Sequence, residues 1–124
     1  MEGVKPKKIQ FKMKIYHNPR CSKSRQTLQF IEEKGAAVEI VKYLEDIPSE
    51  SELKSILKAL GIEAKALLRK GEADFKEHFK GKDLSEDEWI KAMIQYPKMI
   101  ERPIVVKNNK AVLGRPPENV LDLL

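Results

Sequence analysis

The chain has 124 residues, of which 41% are hydrophobic and 35% are charged, and its net charge is +5. These proportions are typical of one globular domain, and no apolar run approaches the roughly 18 residues that a transmembrane helix needs. The first twelve residues hold four lysines against one glutamate, so most of the excess charge belongs to this segment, which argues against a nucleic-acid-binding surface.

Residues 1–12 are predicted to be a disordered extension or the remnant of an expression tag, and residues 13–124 to form a single domain. Apolar residues alternate across Met13–His17, which predicts the first strand of that domain. Asn18-Pro19 ends this strand, because the residue before a proline is pushed away from helical backbone angles. Across residues 22–34 apolar side chains recur at helical spacing, so a helix should begin directly after the turn.

A second strand is predicted around residues 38–43. Strand, helix and strand within about thirty residues form a βαβ unit, whose two strands are parallel. The middle of the chain is predicted to be mostly helical, with capping boxes at Ser49 and Ser85 that start two amphipathic helices. Between these helices, residues 64–69 are predicted to form a short helical piece and residues 70–83 to be turn and loop.

Two short β-rich runs, residues 103–106 and 111–113, flank a pair of asparagines that tolerate the left-handed angles of a tight hairpin. These two strands should be antiparallel. Pro116-Pro117 should start a last helix, which is predicted to bury three apolar side chains. They are Val120, Leu121 and Leu124. The order βαβ, helical insertion, ββα predicts an α/β domain of the thioredoxin-like class with a mixed sheet.

Cys21 is the only cysteine, and it lies between the end of the first strand and the start of the first helix. Unpaired backbone N–H groups and the helix dipole stabilise a thiolate at such a position and also bind anions. His17, Arg20, Lys23 and Arg25 add positive charge nearby in sequence. We therefore predict that Cys21 is a nucleophile and that His17 orients or activates it. The alternatives are a buried, inert cysteine and a histidine that only closes the strand.

A single cysteine cannot close an intramolecular disulfide, which fits a reducing compartment and makes the cytoplasm the expected location. Ser24 stands where a C-x-x-C pair would need its second cysteine, and Thr27 stands where the C-x5-R loop of cysteine phosphatases would need its arginine. A thiol oxidised in turnover would have to be restored by an external thiol, such as glutathione with glutaredoxin. One cysteine and two histidines are too few for a structural zinc site, so neither a metal nor a bound cofactor is expected.

Arg69, Arg102 and Arg115 interrupt apolar segments in the second half of the chain. Planar guanidinium groups bind tetrahedral oxyanions through paired hydrogen bonds. If these groups converge beside the thiol, they would neutralise a multiply charged substrate. Taken singly, each could instead pair with a surface carboxylate.

The sequence resembles the ArsC family of glutaredoxin-coupled arsenate reductases, which are oxidoreductases, at motifs that occur in order along residues 13–124. They are Tyr16-His17-Asn18-Pro19 with Cys21 and Ser24-Arg25, Ala66-Leu67-Leu68-Arg69-Lys70, Arg102-Pro103-Ile104-Val105-Val106, and Arg115-Pro116 with Val120-Leu121-Asp122. The resemblance implies a thioredoxin-like fold with a helical insertion and a cis peptide bond before Pro103, beside the active site. Ser24 and Arg25 would support that site.

The resemblance also implies a mechanism and its partners. The Cys21 thiolate would attack arsenate, glutathione would attack the adduct, and glutaredoxin would reduce the mixed disulfide as arsenite leaves. Arg69, Arg102 and Arg115 would bind the oxyanion. His17 would lie near the thiol. Glutathione would thus be a co-substrate and glutaredoxin a protein partner.

Two other functions are compatible with the same fold class. A glutathione-dependent thiol reductase acting on another substrate would use the same thiol and helix start but would need fewer arginines. An Spx-like redox regulator that binds RNA polymerase would sense oxidation, often through C-x-x-C, a pair that Ser24 removes here. A fold supports many chemistries, so the choice among these functions depends on the site.

Overall fold

The computed structural model describes residues 13–124, and the extension predicted for residues 1–12 lies outside the described residues. Four short strands form one sheet in the order β2-β1-β3-β4. They are β1 (Met13–Tyr16), β2 (Glu39–Val41), β3 (Ile104–Lys107) and β4 (Lys110–Leu113). β1 is parallel to β2 and antiparallel to β3, and β3 is antiparallel to β4. The predicted mixed sheet is therefore confirmed, including the parallel βαβ unit and the antiparallel hairpin.

Helices surround this sheet along the described part of the chain. The α-helices are α1 (Ser22–Glu33), α2 (Glu50–Leu60), α3 (Ala73–His78) and α4 (Glu86–Gln95), and the 3-10 segments are Ala64–Leu67, Pro97–Met99 and Pro117–Leu123. α3 corrects the prediction of turn and loop across residues 70–83. Its six residues include no fully buried side chain, so it lacks the periodic apolar face that marks a helix in a sequence. The half-buried Phe75 instead stacks on Trp89, with ring centroids 6.2 Å apart. No helix among residues 13–124 is long and apolar enough to cross a membrane.

The two predicted capping boxes differ in the structure. At α4, Ser85 Oγ accepts a hydrogen bond from the N–H of Glu88 at 3.2 Å, and the Glu88 carboxylate accepts one from the N–H of Ser85 at 3.1 Å. At α2, Ser49 Oγ accepts from the N–H of Glu52 at 3.1 Å, but the Glu52 carboxylate accepts from the phenol of Tyr16. The reciprocal half of this box was wrongly predicted, because a buried phenol on β1 needs an acceptor and takes this carboxylate.

The sheet separates two hydrophobic cores. Successive side chains of a strand point to opposite faces, so Ile15 and Val105 pack with residues of α1 and the C-terminal segment. Tyr16 and Ile104 face the other core, which α2 and α4 complete. Tyr16, Ile104 and Leu113 are paired at the same end of the sheet. The start of α1, the loop before β3 and the loop after β4 therefore meet at this end, which is where the candidate site lies.

The C-terminal segment buries a different set of side chains from the predicted one. It is a 3-10 helix with three residues per turn, so Pro117, Val120 and Leu123 share its buried face. The predicted burial of Val120 is confirmed. The prediction is wrong for Leu121, which is 40% exposed, and Leu124 is only partly buried, because the prediction assumed the wider repeat of an α-helix.

Candidate active site

Cys21 is the N-terminal cap of α1 and is partly exposed. Its extended backbone, with φ −95° and ψ 123°, turns the chain into the helix, and its N–H donates to the carbonyl of Asn18 at 3.0 Å. The side chain makes no capping hydrogen bond, and the first turn contains no acidic residue. The sulfur therefore lies beside the first-turn N–H groups and the positive end of the helix dipole, a position at which helices bind anions. The alternative of a thiol sealed in the apolar interior does not describe this position.

His17 and Ser24 hold the loop that connects β1 to α1. Nδ1 of His17 lies 2.6 Å from Oγ of Ser24, and the same Oγ accepts a hydrogen bond from the N–H of Asn18 at 3.0 Å. Both side chains are buried. Within residues 13–124 His17 makes no hydrogen bond to the sulfur of Cys21, so its contact with the helix start is through Ser24. Arg25 also supports the loop, because its Nη1 donates to the carbonyl of Pro19 at 2.9 Å.

Burial lowers the pKa of the His17 imidazole below its usual 6.5, and the charges of Lys42 and Arg25 lower it further. Below about pH 6.5 the unfolded chain takes up a proton on this imidazole, whereas the folded chain resists protonation until a lower pH. The contribution of the neutral imidazole to the free energy of unfolding is therefore fully present above about pH 6.5 and is lost as the pH falls towards the folded pKa.

We expect the free energy of unfolding of His17→Gln to fall less between about pH 7 and about pH 5 than that of the unaltered chain. The difference for one proton is at most about 1.4 kcal/mol per pH unit. Urea denaturation at several pH values measures this slope.

The control for this experiment is Gln26→Asn, an exposed substitution on α1 that leaves both histidines in place. Its loss of unfolding free energy on acidification should match that of the unaltered chain. If His17→Gln and the unaltered chain lose the same unfolding free energy on acidification, the buried neutral imidazole is not the group responsible.

Arg115 brings a guanidinium group to the thiol. Its Nη1 lies 4.0 Å from the sulfur of Cys21 and donates to the carbonyl of Arg102 at 3.3 Å. The Asn119 side chain donates to the carbonyl of Arg115 at 3.2 Å, which holds the loop after β4 in place. The contact between Arg115 and the Cys21 sulfur is the direct link between the predicted nucleophile and the predicted oxyanion-binding arginines.

The close packing of Gly114 also fixes this loop. A Cβ at Gly114 would clash with Oγ1 of Thr27 and would lie 2.7 Å from Cγ of Pro103. The N–H of Gly114 donates to the Pro103 carbonyl at 2.9 Å. We expect Gly114→Ala to lower the free energy of unfolding by about 1–3 kcal/mol, as overpacking does. Urea denaturation measures this loss. The control is Gly71→Ala, where nothing lies within 4 Å of the new methyl group, and equal losses in the two variants would contradict the packing argument.

Arg69 reaches the site because its segment pairs with the segment before β3. The N–H of Arg69 donates to the carbonyl of Met99 at 2.7 Å, and the N–H of Glu101 donates to the carbonyl of Leu67 at 2.9 Å. These two bonds place the Arg69 side chain beside Glu101. Nη1 of Arg69 also lies 3.3 Å from the Glu72 carboxylate.

Glu101 is a residue of this cluster that the sequence analysis missed. Its Oε1 lies 3.5 Å from Nε of Arg69, 3.8 Å from Nη1 of Arg102 and 3.7 Å from Nε of Arg115. The three predicted arginines therefore converge, and they do so around one carboxylate oxygen. In the sequence, Glu101 next to Arg102 has the pattern of an ordinary charged pair. No sequence signal marks Glu101 as part of this cluster, because its contacts form only when segments that are distant along the chain pair in the fold.

Arg102 has the least exposed side chain of the three arginines, at 14%. Within residues 13–124 its buried Nε and Nη1 have no hydrogen-bond partner. Burying donor nitrogens without hydrogen bonds is costly, so an acceptor that bonded to these two atoms would stabilise them. The peptide bond between Arg102 and the buried Pro103 is cis, as the resemblance implies, and the bond before Pro116 is also cis.

Tyr43 is a second residue that the sequence analysis did not assign to the site. Burial raises the pKa of its phenol above the usual 10.0, Arg69 opposes this shift, and Cys21 and Glu101 add to it. The phenol thus lies within electrostatic reach of the thiol and of the arginine cluster, and it remains protonated and able to donate a hydrogen bond. The sequence predicted only that it lies at the end of the second strand.

No group of three or more His, Cys, Asp or Glu side chains within the described range 13–124 is arranged to hold a metal ion.

Known proteins resemble this chain in sequence and in structure. The sequence pattern of the ArsC family matches residues 16–123. "Uncharacterized protein YfgD" of Escherichia coli (strain K12) is 49% identical over 114 residues, which are 90% of this chain and 96% of that protein. "Arsenate reductase" of Haemophilus influenzae is 46% identical over 112 residues, 89% of this chain and 97% of that protein. The structure of "Arsenate reductase from Vibrio cholerae" has a TM-score of 0.87 and 50% identity, covering 90% of this chain and 97% of that one.

A four-stranded mixed sheet in this order, with a cysteine at the start of its first helix, is a thioredoxin-like arrangement. The chain belongs to the ArsC family. The resemblance and the fold class predicted from the sequence are both confirmed.

Proposed function

We propose that this chain is an arsenate reductase in which Cys21 is the nucleophile and in which glutathione and glutaredoxin supply the electrons. The observation that carries the proposal is the distance of 4.0 Å between the Cys21 sulfur and Nη1 of Arg115, at the edge of a cluster of three arginines. Relatives of this chain from Neisseria meningitidis and Haemophilus influenzae are named arsenate reductases, which supports the choice of substrate.

The arginine cluster suits a tetrahedral oxyanion. Guanidinium groups donate paired, charge-assisted hydrogen bonds to such anions, and these bonds are about twice as strong as neutral ones. Arg102 has two buried donor nitrogens without an acceptor in the described chain, and Arg115 lies next to the sulfur. An oxyanion bound by these two side chains would present its central atom to the thiolate.

In the proposed reaction, the Cys21 thiolate attacks arsenic(V) and a sulfur–arsenic bond forms. One arsenate hydroxyl takes up the proton that the thiol gave up on ionisation, and it leaves as water when its bond to arsenic breaks. The thiolate of glutathione then attacks the Cys21 sulfur. This attack forms a mixed disulfide and leaves the electron pair of the sulfur–arsenic bond on arsenic, which departs as arsenite, As(III). The two sulfur atoms together lose two electrons as the disulfide forms, and arsenic gains these two electrons.

The second half of the cycle restores the thiol. A glutaredoxin thiolate attacks the glutathione sulfur of the mixed disulfide and releases Cys21 as a thiolate. An external thiol is required because the chain has no second cysteine with which to close its own disulfide. Glutathione and glutaredoxin are reducing components of the cytosol, which is the location that we propose for this reaction.

The test is an assay that couples NADPH oxidation to arsenate through glutathione reductase, glutathione and glutaredoxin, with direct detection of arsenite. We expect arsenite to form at the rate of NADPH oxidation, and we expect the rate to fall to background when arsenate, glutathione or glutaredoxin is omitted. NADPH oxidation with a small disulfide but not with arsenate would identify the alternative thiol reductase. No activity with either substrate would overturn the proposal.

A further inference from the structure

We propose that Glu101 is a specificity-determining residue that selects oxyanions carrying a proton, such as arsenate or phosphate, over fully ionised ones, such as sulfate. The inference rests on the proposed function, because it concerns the oxyanion pocket of that reaction. It adds a selection rule that the arginines cannot provide, since guanidinium groups attract every tetrahedral anion.

The Glu101 carboxylate lies among the three guanidinium groups. Oε1 of Glu101 lies 3.5 to 3.8 Å from nitrogen atoms of Arg69, Arg102 and Arg115. These distances exceed the usual 2.7–3.2 Å of an N–H···O hydrogen bond. Oε1 accepts a hydrogen bond from the backbone N–H of Arg102 at 3.2 Å but none from the three guanidinium groups. The carboxylate therefore holds these cations together electrostatically, and the guanidinium N–H groups that face it remain able to bind a better-placed acceptor.

Arg115 links the Glu101 carboxylate to the reacting sulfur. Arg115 spans the gap, with its Nε 3.7 Å from Oε1 of Glu101 and its Nη1 4.0 Å from the sulfur of Cys21. An oxyanion that binds Arg115 between the sulfur and the carboxylate would contact both. The Glu101 side chain is 25% exposed, so water screens its charge only in part.

The selection depends on the proton that the bound oxyanion carries. An ionised carboxylate can accept hydrogen bonds but cannot donate them. Near neutral pH arsenate and phosphate each retain an O–H group that can donate to Glu101, whereas sulfate has none. Sulfate would bring two negatively charged acceptors together without a proton between them, and such an unpaired contact is how a site rejects an unwanted ligand.

Glu72 does not provide the same selection. Its carboxylate contacts Arg69 through Nη1, at 3.3 Å, on a different nitrogen from the one that approaches Glu101. Glu101 is the acidic side chain in ionic contact with all three arginines in the described part of the chain, so the selection is assigned to this residue.

The experiment measures how phosphate and sulfate protect Cys21 of the full chain from iodoacetamide, at about pH 7 and constant ionic strength. The concentration for half-protection should be lower for phosphate than for sulfate in the unaltered protein. Glu101→Gln should reduce this preference by about tenfold, mainly because sulfate binds more tightly. Glu101→Asp retains the charge and should retain the preference for phosphate.

The control is Asp87→Asn, which removes the same charge from an exposed ion pair with Lys54, where the two atoms lie 3.4 Å apart. Its preference should equal that of the unaltered chain. The ratio of the two anions is the readout, because a shift of the arginines would weaken phosphate and sulfate together.

Equal protection by phosphate and sulfate in the unaltered chain would overturn the inference without any variant. An unchanged ratio in Glu101→Gln, or an equal loss of preference in Glu101→Asp, would also overturn it. The proposed function fails by a separate result, the absence of arsenite in the coupled assay, because anion protection is measured without turnover.

Discussion

Cys21→Ser is expected to lower the rate of arsenite formation by at least about a thousandfold, as the loss of an enzyme nucleophile does. The serine hydroxyl is not ionised near neutral pH, and it cannot form the mixed disulfide with glutathione that glutaredoxin then reduces. The fold should persist, because residue 21 caps α1 and serine is a favoured N-cap residue. The coupled assay with direct arsenite detection measures the rate.

The matched control is Ser22→Ala, one position along the same helix, where the side chain is exposed and no role in the reaction is proposed. It should keep the unaltered rate within a few-fold. Because the chain has one cysteine, appreciable arsenite formation by Cys21→Ser would show that the reaction does not depend on a thiol of this protein.

Arg102→Ala is expected to raise the arsenate concentration that half-protects Cys21 from iodoacetamide by roughly ten- to a hundredfold, which corresponds to about 1.5–3 kcal/mol. The substitution removes the guanidinium whose Nε and Nη1 lack an acceptor within residues 13–124, and these are the donors that we assign to the oxyanion. It should leave the alkylation rate without arsenate less affected, because Arg115 remains beside the sulfur at 4.0 Å.

Arg20→Ala is the control for general positive charge, since Arg20 is exposed and adjoins Cys21 in sequence. It should change arsenate protection by less than about threefold, the modest effect of one solvent-screened charge. Equal losses in the two variants would mean that arsenate responds to the net charge near the helix and that Arg102 makes no specific contact with it.

The sequence predicted the parts of the fold that depend on neighbouring residues. Alternation along β1, the break at Asn18-Pro19 and the helical repeat of α1 place Cys21 at a helix start from about twenty residues alone. The hairpin of β3 and β4 follows from two asparagines, and Asn108 does adopt a positive φ of 57°. Such local signals are readable because each element carries its own pattern.

The features that the sequence analysis missed depend on contacts between distant segments. Glu101 meets Arg69 and Arg115 only after three segments have folded together. Tyr16 takes the Glu52 carboxylate away from its expected capping role because the two side chains become neighbours in the fold. Neither case leaves a repeat or a motif in the sequence, since the partners are far apart along the chain.

The pairing between the Arg69 and Glu101 segments has a consequence for how ligands affect this protein. The backbone bonds from Arg69 to Met99 and from Glu101 to Leu67 join parts of the chain about thirty residues apart, and the sulfur and Arg115 come from its two opposite ends. An unfolded chain scatters these groups and has no pocket. Any anion that binds here therefore stabilises the folded domain and raises its melting temperature. At concentrations above the dissociation constant, this rise follows the logarithm of the anion concentration, so occupancy of the pocket and folding of the domain are linked through one equilibrium.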